Sequence, residues 1–203
     1  MENIKIYNNV KLGKNVIIED YCIIGKPPMN FSDGELETII GDNAIIRSHT
    51  IIYAGNIIGY NFQTGHHVVI RENNKIGNQV SIGTLSCIEH HIIIEDEVRC
   101  HSQVFIPEFT IIKKNAWIGP NVVITNAKYP QSKNVKKNLK GAIIEQNAII
   151  GANVTILPGL LIGKHTLIGC GSVVTNDVDD FNVVVGNPAK NIKKITDIEE
   201  YKL

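Results

Sequence analysis

Isoleucine returns at every sixth residue along most of this chain, and few folds can use such a period. Stepping by six from Ile40 visits Ile46, Ile52, Ile58, Thr64, Ile70, Ile76, Ile82, Ile88, Ile94, Cys100, Ile106, Ile112, Ile118 and Ile124. Thirteen of these fifteen positions are isoleucine. The same step runs earlier through Leu12, Ile18 and Ile24, and later through Ile144, Ile150, Ile156, Ile162, Ile168 and Val174, making twenty-four hexads. Two residues before many of these sites the side chain is small or β-branched, as at Ala44, Thr50, Val68, Val80, Val98 and Val104. In–out–in alternation over three residues is strand spacing. The residue after the isoleucine is often glycine (Gly41, Gly59, Gly77, Gly83), as a turn would favour.

A three-residue strand followed by a three-residue corner, repeated, makes the chain coil. Three hexads close one triangular coil, so residues eighteen apart stack, and the hexads make about eight coils. At about 4.8 Å per coil the prism is about 38 Å long. An α-helix needs a period of 3.6, and the long helical segments of a TIM barrel or a Rossmann fold are missing. The pattern predicts an all-β parallel β-helix over residues 1–190. The segment 191–203 leaves the period and is expected to form a short C-terminal helix that caps the open end. Asn56 and Asn74, eighteen apart at inward positions, are expected to stack as an amide ladder.

Aromatic residues are only 6% of the 203 residues, so aliphatic side chains must fill the core. Lys plus Arg equals Asp plus Glu at 20 each, which argues against a nucleic-acid partner. No apolar run is long enough for a membrane span, and the opening residues lack the apolar stretch of a secretory leader. Cys22, Cys87, Cys100 and Cys170 have no metal-finger spacing and are expected to be reduced thiols of a cytoplasmic protein, with no metal site.

The period breaks twice. Sixteen residues separate Ile24 from Ile40, an insertion of ten, and twenty separate Ile124 from Ile144, an insertion of fourteen. The excursions cover 25–39, with turn signals at Pro27-Pro28 and Asp33-Gly34, and 127–142, which carries five lysines (Lys128, Lys133, Lys136, Lys137, Lys140) and no acid. Both replace the same corner of the triangle, corner one. There Glu72, His90, Glu108 and Asn126 stack in one column that the loops frame. Loops on a rigid scaffold commonly carry function. His90 between two carboxylates suits a general base or an anchor for a polar substrate, and equally a surface charge ladder. Arg71 and Glu89, eighteen apart, are expected to form a structural ion pair. Corner two holds His101 and Gln103 as a second polar cluster, and His49 stacks above His67. Corner three, with Gly41-Asp42-Asn43 and Glu95-Asp96-Glu97, reads as a solvated edge, His165 included.

Ser86 to His91, His101 to Glu108, Trp117-Ile118-Gly119-Pro120, Thr125-Asn126 and Tyr129-Pro130 resemble the nucleotide-sugar N-acetyltransferases among the hexapeptide-repeat acyltransferases. Val185-Gly186-Asn187-Pro188-Ala189-Lys190 is similar to the closing motif of that wider superfamily. Relatives often carry Asp after Thr-Asn where this chain has Ala127. The resemblance implies a left-handed β-helix and transfer of an acetyl group from acetyl-CoA to a nucleotide-linked amino sugar. It implies a homotrimer in which corner one of one subunit faces corner two of the next. It places His90 and Glu89 at the catalytic position, and Glu72, His101, Gln103, Glu108 and Asn126 around the substrate. It assigns Gly151, Ala152, Gly169, Gly171, Lys190 and Lys193 to the coenzyme. Either His90 or the leaving thiolate takes the amine proton. O-acetylation of a sugar or small alcohol, and a non-catalytic structural β-helix, are the alternatives.

Overall fold

A computed structural model of the chain describes residues 3–201. Met1, Glu2, Lys202 and Leu203, at the outer limits of the two expected segments, lie outside the described residues. Among the described residues the strands form three sheets of nine, eight and ten strands, and within each sheet successive members are every third strand of the chain, except for the last two strands of the third sheet. That order is a chain winding around a triangular prism, and the hand is left. Eight full coils are complete by Ile168, and a ninth begins with Val173–Val174, a bridge from Ile162 to Val178, and the strand Asn182–Gly186.

The register reproduces the period. Ile52 pairs with Ile70 and Ile70 with Ile88, eighteen residues apart each time. Across the first excursion Ile24 pairs with Ile52, twenty-eight apart, so the ten extra residues are looped out. Across the second Ile124 pairs with Ile156, thirty-two apart, so fourteen are looped out. Both loops leave the first sheet and re-enter the second, which fixes them to one corner.

The repeating isoleucines are the core. Ile40, Ile46, Ile52, Ile70, Ile88 and Ile106 are fully buried, and the small residues at the second inward position, such as Ala44, Val68, Val80 and Val98, are buried with them. Each such side chain contributes about 1.5–3 kcal/mol through burial, and its contacts come from the coils above and below. Asn56 and Asn74 are fully buried but bond to backbone rather than to each other's amides. The Asn56 Nδ2 group donates to the carbonyls of Tyr53 and Arg71, and its Oδ1 accepts the Asn74 N–H at 3.0 Å. Asn74 repeats the pattern one coil on, accepting from the Ile92 N–H at 2.7 Å. The ladder is therefore a set of side-chain plugs that satisfy buried corner carbonyls.

Corner geometry assigns its glycines a different reason from the expected turn preference. The left-handed backbone sits at the third corner residue, as at Asn43, Asn61, His67, His91 and Gln103, where φ lies between 54° and 60°. Glycine at the first corner position meets a close approach instead: a Cβ on Gly59 would lie 2.7 Å from the carbonyl carbon of Gly77 in the next coil.

The C-terminal segment corrects the expectation of a helix over 191–203. Ala189–Lys194 is a strand, antiparallel to Asn182–Gly186, and only two single 3₁₀ turns follow, Ile195–Asp197 and Glu199–Tyr201. The physical cause is the open end of the third sheet, where Leu167 and Ile168 offer an unpaired edge. Asn182–Gly186 occupies it in parallel register and the returning strand covers that strand in turn. Buried Ile195 closes the end. No helix among the described residues is long and apolar enough to cross a membrane.

Neighbouring isoleucines on one strand provide a test of the coil. Ile58 is 2% exposed and Ile57 is 50% exposed. Ile58→Ala is expected to lower the unfolding free energy by about 2–5 kcal/mol and Ile57→Ala by less than about 1 kcal/mol, read by denaturant titration. Equal losses would contradict the inward–outward assignment.

Candidate functional site

Corner one gathers its chemically active side chains into two clusters. In the upper cluster His90 Nδ1 lies 2.8 Å from Nδ1 of His91, and His90 Nε2 lies 3.7 Å from Oε1 of Glu108. The left-handed backbone of His91 turns its ring back against its neighbour, and the two rings meet edge-on at 4.9 Å. Phe109 packs against both, with centroids 6.1 and 6.0 Å away. Glu108 is steered from the far side by the Asn126 Nδ2 group, which donates to Oε2 at 2.6 Å. Asn126 is itself buried at the start of the lysine-rich loop, so that loop anchors the carboxylate that faces His90.

The lower cluster departs from the expected column. Arg71 donates to both oxygens of Glu72, at 2.8 and 2.9 Å, and only at 3.4 Å to Glu89. The adjacent Glu72 thus takes most of the guanidinium, and Glu72 and Glu89 belong to an arginine network rather than to the imidazole pair. Burial pushes the Glu72 carboxyl up, but the hydrogen bonds and charge of Arg71 outweigh it and hold the group below its usual range. Cys87 sits beside Glu89, 3.8 Å from Oε1. Burial, then that carboxylate's charge, pushes the thiol up to about 11. His91 is the functional candidate that sequence reasoning passed over; its signal was adjacency to His90 at the third corner position.

Corner two lies along another edge of the prism, one strand of the first sheet away, so His101 and Gln103 do not meet the His90 pair within one chain. His101 packs against Trp117 with the rings tilted and centroids 4.6 Å apart, and its Nε2 is buried without a hydrogen-bond partner. Gln103 is exposed with φ of 60°. His49 stacks on His67 at 4.5 Å and Tyr21 extends that stack at 4.9 Å.

Beyond Trp117 the same edge opens into a groove of about 890 Å³. Gly151, Ala152 and Gly169 line it together with Trp117, Leu167 and Cys170. His165 lines it too, which corrects its reading as a solvated residue: its ring stacks on Phe181 at 5.0 Å and its Nε2 accepts from the Asn147 Nδ2 group at 3.1 Å. Lys190 and Lys193 are exposed on the C-terminal hairpin, outside the groove lining, and Gly171 is exposed on corner two.

Four free thiols test these placements. Cys22 and Cys100 are buried, Cys87 is half-buried with a raised pKa, and Cys170 alone is exposed. A disulfide reagent at neutral pH is expected to consume one thiol rapidly, and Cys170→Ser is expected to remove that phase. A second fast thiol in the folded protein would contradict the assignment.

Three comparisons bear on what this edge and corner do. The family model described as bacterial transferase hexapeptide (six repeats) matches residues 141–176. The galactoside O-acetyltransferase of Lactococcus lactis is 40% identical over 90 residues, 42% of this chain and 44% of that protein. The bifunctional protein GlmU of Clostridioides difficile is 31% identical over 189 residues, 93% of this chain and 38% of that protein. Among solved structures, the polySia-specific acetyltransferase NeuO superposes with a TM-score of 0.54 at 20% identity, covering 96% of this chain and 88% of that one. The chain spans about four tenths of the length of these two curated relatives. Residues 141–176 thus match the bacterial transferase hexapeptide family, and the chain as a whole shares the fold of an acetyltransferase of solved structure.

Proposed function

We propose that this chain is an acetyl-CoA-dependent N-acetyltransferase acting on a nucleotide-linked amino sugar. The observation that carries the reading is the His90–His91 contact. Two Nδ1 atoms 2.8 Å apart require that one donates and the other accepts. With the proton on His90 Nδ1, its Nε2 lone pair is free and points toward solvent and Glu108. His91 then fixes the tautomer, a role often filled by a carboxylate, and Glu108 stabilises the imidazolium once Nε2 takes a proton from the attacking amine. Asn126 and Phe109 hold the carboxylate and the ring pair in place. Arg71 and Glu72, one coil below, and Glu89, next to His90, support the same corner.

The groove beyond Trp117 fits the pantetheine arm of the coenzyme, being long, largely apolar and small-walled at Gly151, Ala152 and Gly169. When bound there, acetyl-CoA supplies the activated thioester. Gly171, Lys190 and Lys193 are proposed to meet the remainder of the coenzyme, the lysines at its phosphates. The free thiols and the choice of donor suit the cytoplasm.

The acid–base pair and the groove stand on different edges of one prism. A working site therefore needs corner one of one subunit against corner two of another, which supports a closed three-fold ring. Light scattering is expected to give about three times 22.4 kDa, and a monomer at micromolar concentration would remove the shared-site reading.

O-acetylation is the second reading, favoured by the similarity to the galactoside O-acetyltransferase. A hydroxyl depends on a base more than an amine does. The deciding assay incubates the protein with acetyl-CoA and a panel of nucleotide-linked amino sugars and their hydroxyl counterparts, following free thiol. With the productive acceptor, His90→Ala is expected to lower kcat by about 10²–10⁴-fold without loss of folding. His91→Ala is expected to cost less and to broaden the pH–rate profile. A His90→Ala enzyme with unchanged kcat and KM would reject His90 in either role.

A further inference from the structure

Of the twenty basic residues only three are arginine, and their placement is uneven. Arg71 is taken up by Glu72 and Glu89. Arg47 and Arg99 both line a second trough, of about 340 Å³, on corner two and the adjoining face of the third sheet. Among the described residues neither has a carboxylate within ion-pair distance, and the trough lining contains no acid. Glu19, which contacts the lining residue His66 at 3.8 Å, accepts from the Ser48 N–H at 2.9 Å.

The rest of the trough is made of neutral donors. Gln63, Ser81 and Arg99 stand in register on three successive strands of the sheet face. Thr84 and Ser102 form the facing wall. Between the walls lie Gly65 and Gly83, which put no side chain into the space. Arg47 closes the lower end with its Nη1 donating to the Thr64 carbonyl, which fixes its plane. From the Arg47 coil to the Arg99 coil is three steps, about 14 Å along the prism. His101 closes the upper end, and burial together with the Arg99 charge lowers its pKa.

We propose that this trough binds a diphosphate group, held at its two ends by Arg47 and Arg99 and along its length by the Ser, Thr and Gln side chains. Two guanidinium groups that lack an ion-pair partner and line one space walled by hydroxyls match the charge and the many acceptor oxygens of such a group. The trough lies on the same face of the third sheet as the larger groove, from which the His101–Trp117 contact separates it, so the diphosphate belongs either to a nucleotide-linked acceptor or to coenzyme A. Naming those two sources rests on the proposed function; binding of the group itself does not.

The test is calorimetric titration of the whole protein with inorganic pyrophosphate, UDP and coenzyme A. Wild type is compared with Arg47→Gln, Arg99→Gln, the double variant and a Lys133→Gln control in the basic loop, at matched melting temperature. Each arginine variant is expected to weaken pyrophosphate about tenfold and the double variant about a hundredfold, with the control unchanged. Weakened UDP with unchanged coenzyme A assigns the site to the acceptor, and the converse assigns it to the donor. In the wild type, pyrophosphate is expected to raise the pKa of His101 followed by NMR, and in the double variant it is not. Unchanged pyrophosphate affinity in the double variant, an equal loss in the Lys133→Gln control, or no wild-type binding at millimolar concentration would overturn the proposal. Pyrophosphate binding by the wild type that the arginine variants lose, in a protein that acetylates no sugar nucleotide, would sink the substrate reading and leave the site standing.

Discussion

The backbone ladder between coils sets every other feature of this molecule. Ile57 N–H bonds to the Asn74 carbonyl, Lys75 to Ile92 and Ile93 to Thr110, at 3.0, 2.9 and 3.1 Å, one coil after another. Because each coil pairs only with the coils above and below it, the chain must return to the same angular position every eighteen residues. A residue inserted within a strand would turn every later inward side chain outward. Extra chain is therefore admitted at corners, and both long excursions are found there. The closed triangular section leaves no lateral strand edge, so exposed edges arise only at the ends of the prism. The hairpin of Asn182–Gly186 and Ala189–Lys194 follows from that: it satisfies the last coil's open edge.

The same ladder decides where chemistry can stand. Inward positions are closed by isoleucine, and outward strand positions present flat rows. Only corners project side chains that also turn sharply. The third corner residue is held in the left-handed region, which swings its side chain toward its own neighbour or along the edge. At His91 this produces the imidazole pair, and at His49 and His67 it produces a ring stack. One backbone state, repeated, gives a reactive contact in one place and plain packing in another, according to the residue next to it.

The fold was legible because its period is covalent in the sequence: Ile24, Ile40, Ile124 and Ile144 alone locate both loops to the corner they occupy. The end of the solenoid was not legible from the same signal. Ala189–Lys194 carries no inward apolar stripe, and its strand state comes from a pairing edge that exists only once the coils are assembled. Position in a column likewise left side-chain allegiance open. Glu72 and His90 are eighteen apart, yet Arg71, one residue away, captures the carboxylate with two hydrogen bonds. Adjacent corner residues compete with stacked ones, and a charged pair one residue apart loses less side-chain freedom in meeting than a pair a coil apart. Gly151, Ala152 and Gly169 fall on one groove because register alone aligns them, while Lys190 follows the hairpin away from it.

Corner two carries a division that neither end of it explains alone. Toward the N-terminal coils its face presents Gln63, Ser81 and Arg99; past Trp117 the same row continues with Ile149 and Leu167. The row changes character at the His101–Trp117 contact, where a ring with a buried, unpartnered nitrogen meets an indole. A uniformly polar face would repel the apolar part of a ligand, and a uniformly apolar one would leave two guanidinium groups facing nothing that could accept from them. An edge split in this way favours an occupant with an anionic segment and an extended, less polar segment, laid parallel to the prism axis. Corner one is the other edge that bears reactive side chains, and the straight, eighteen-residue stack keeps the two edges apart within one chain. The proposed acetyl transfer therefore rests on the alignment of edges between two prisms standing side by side.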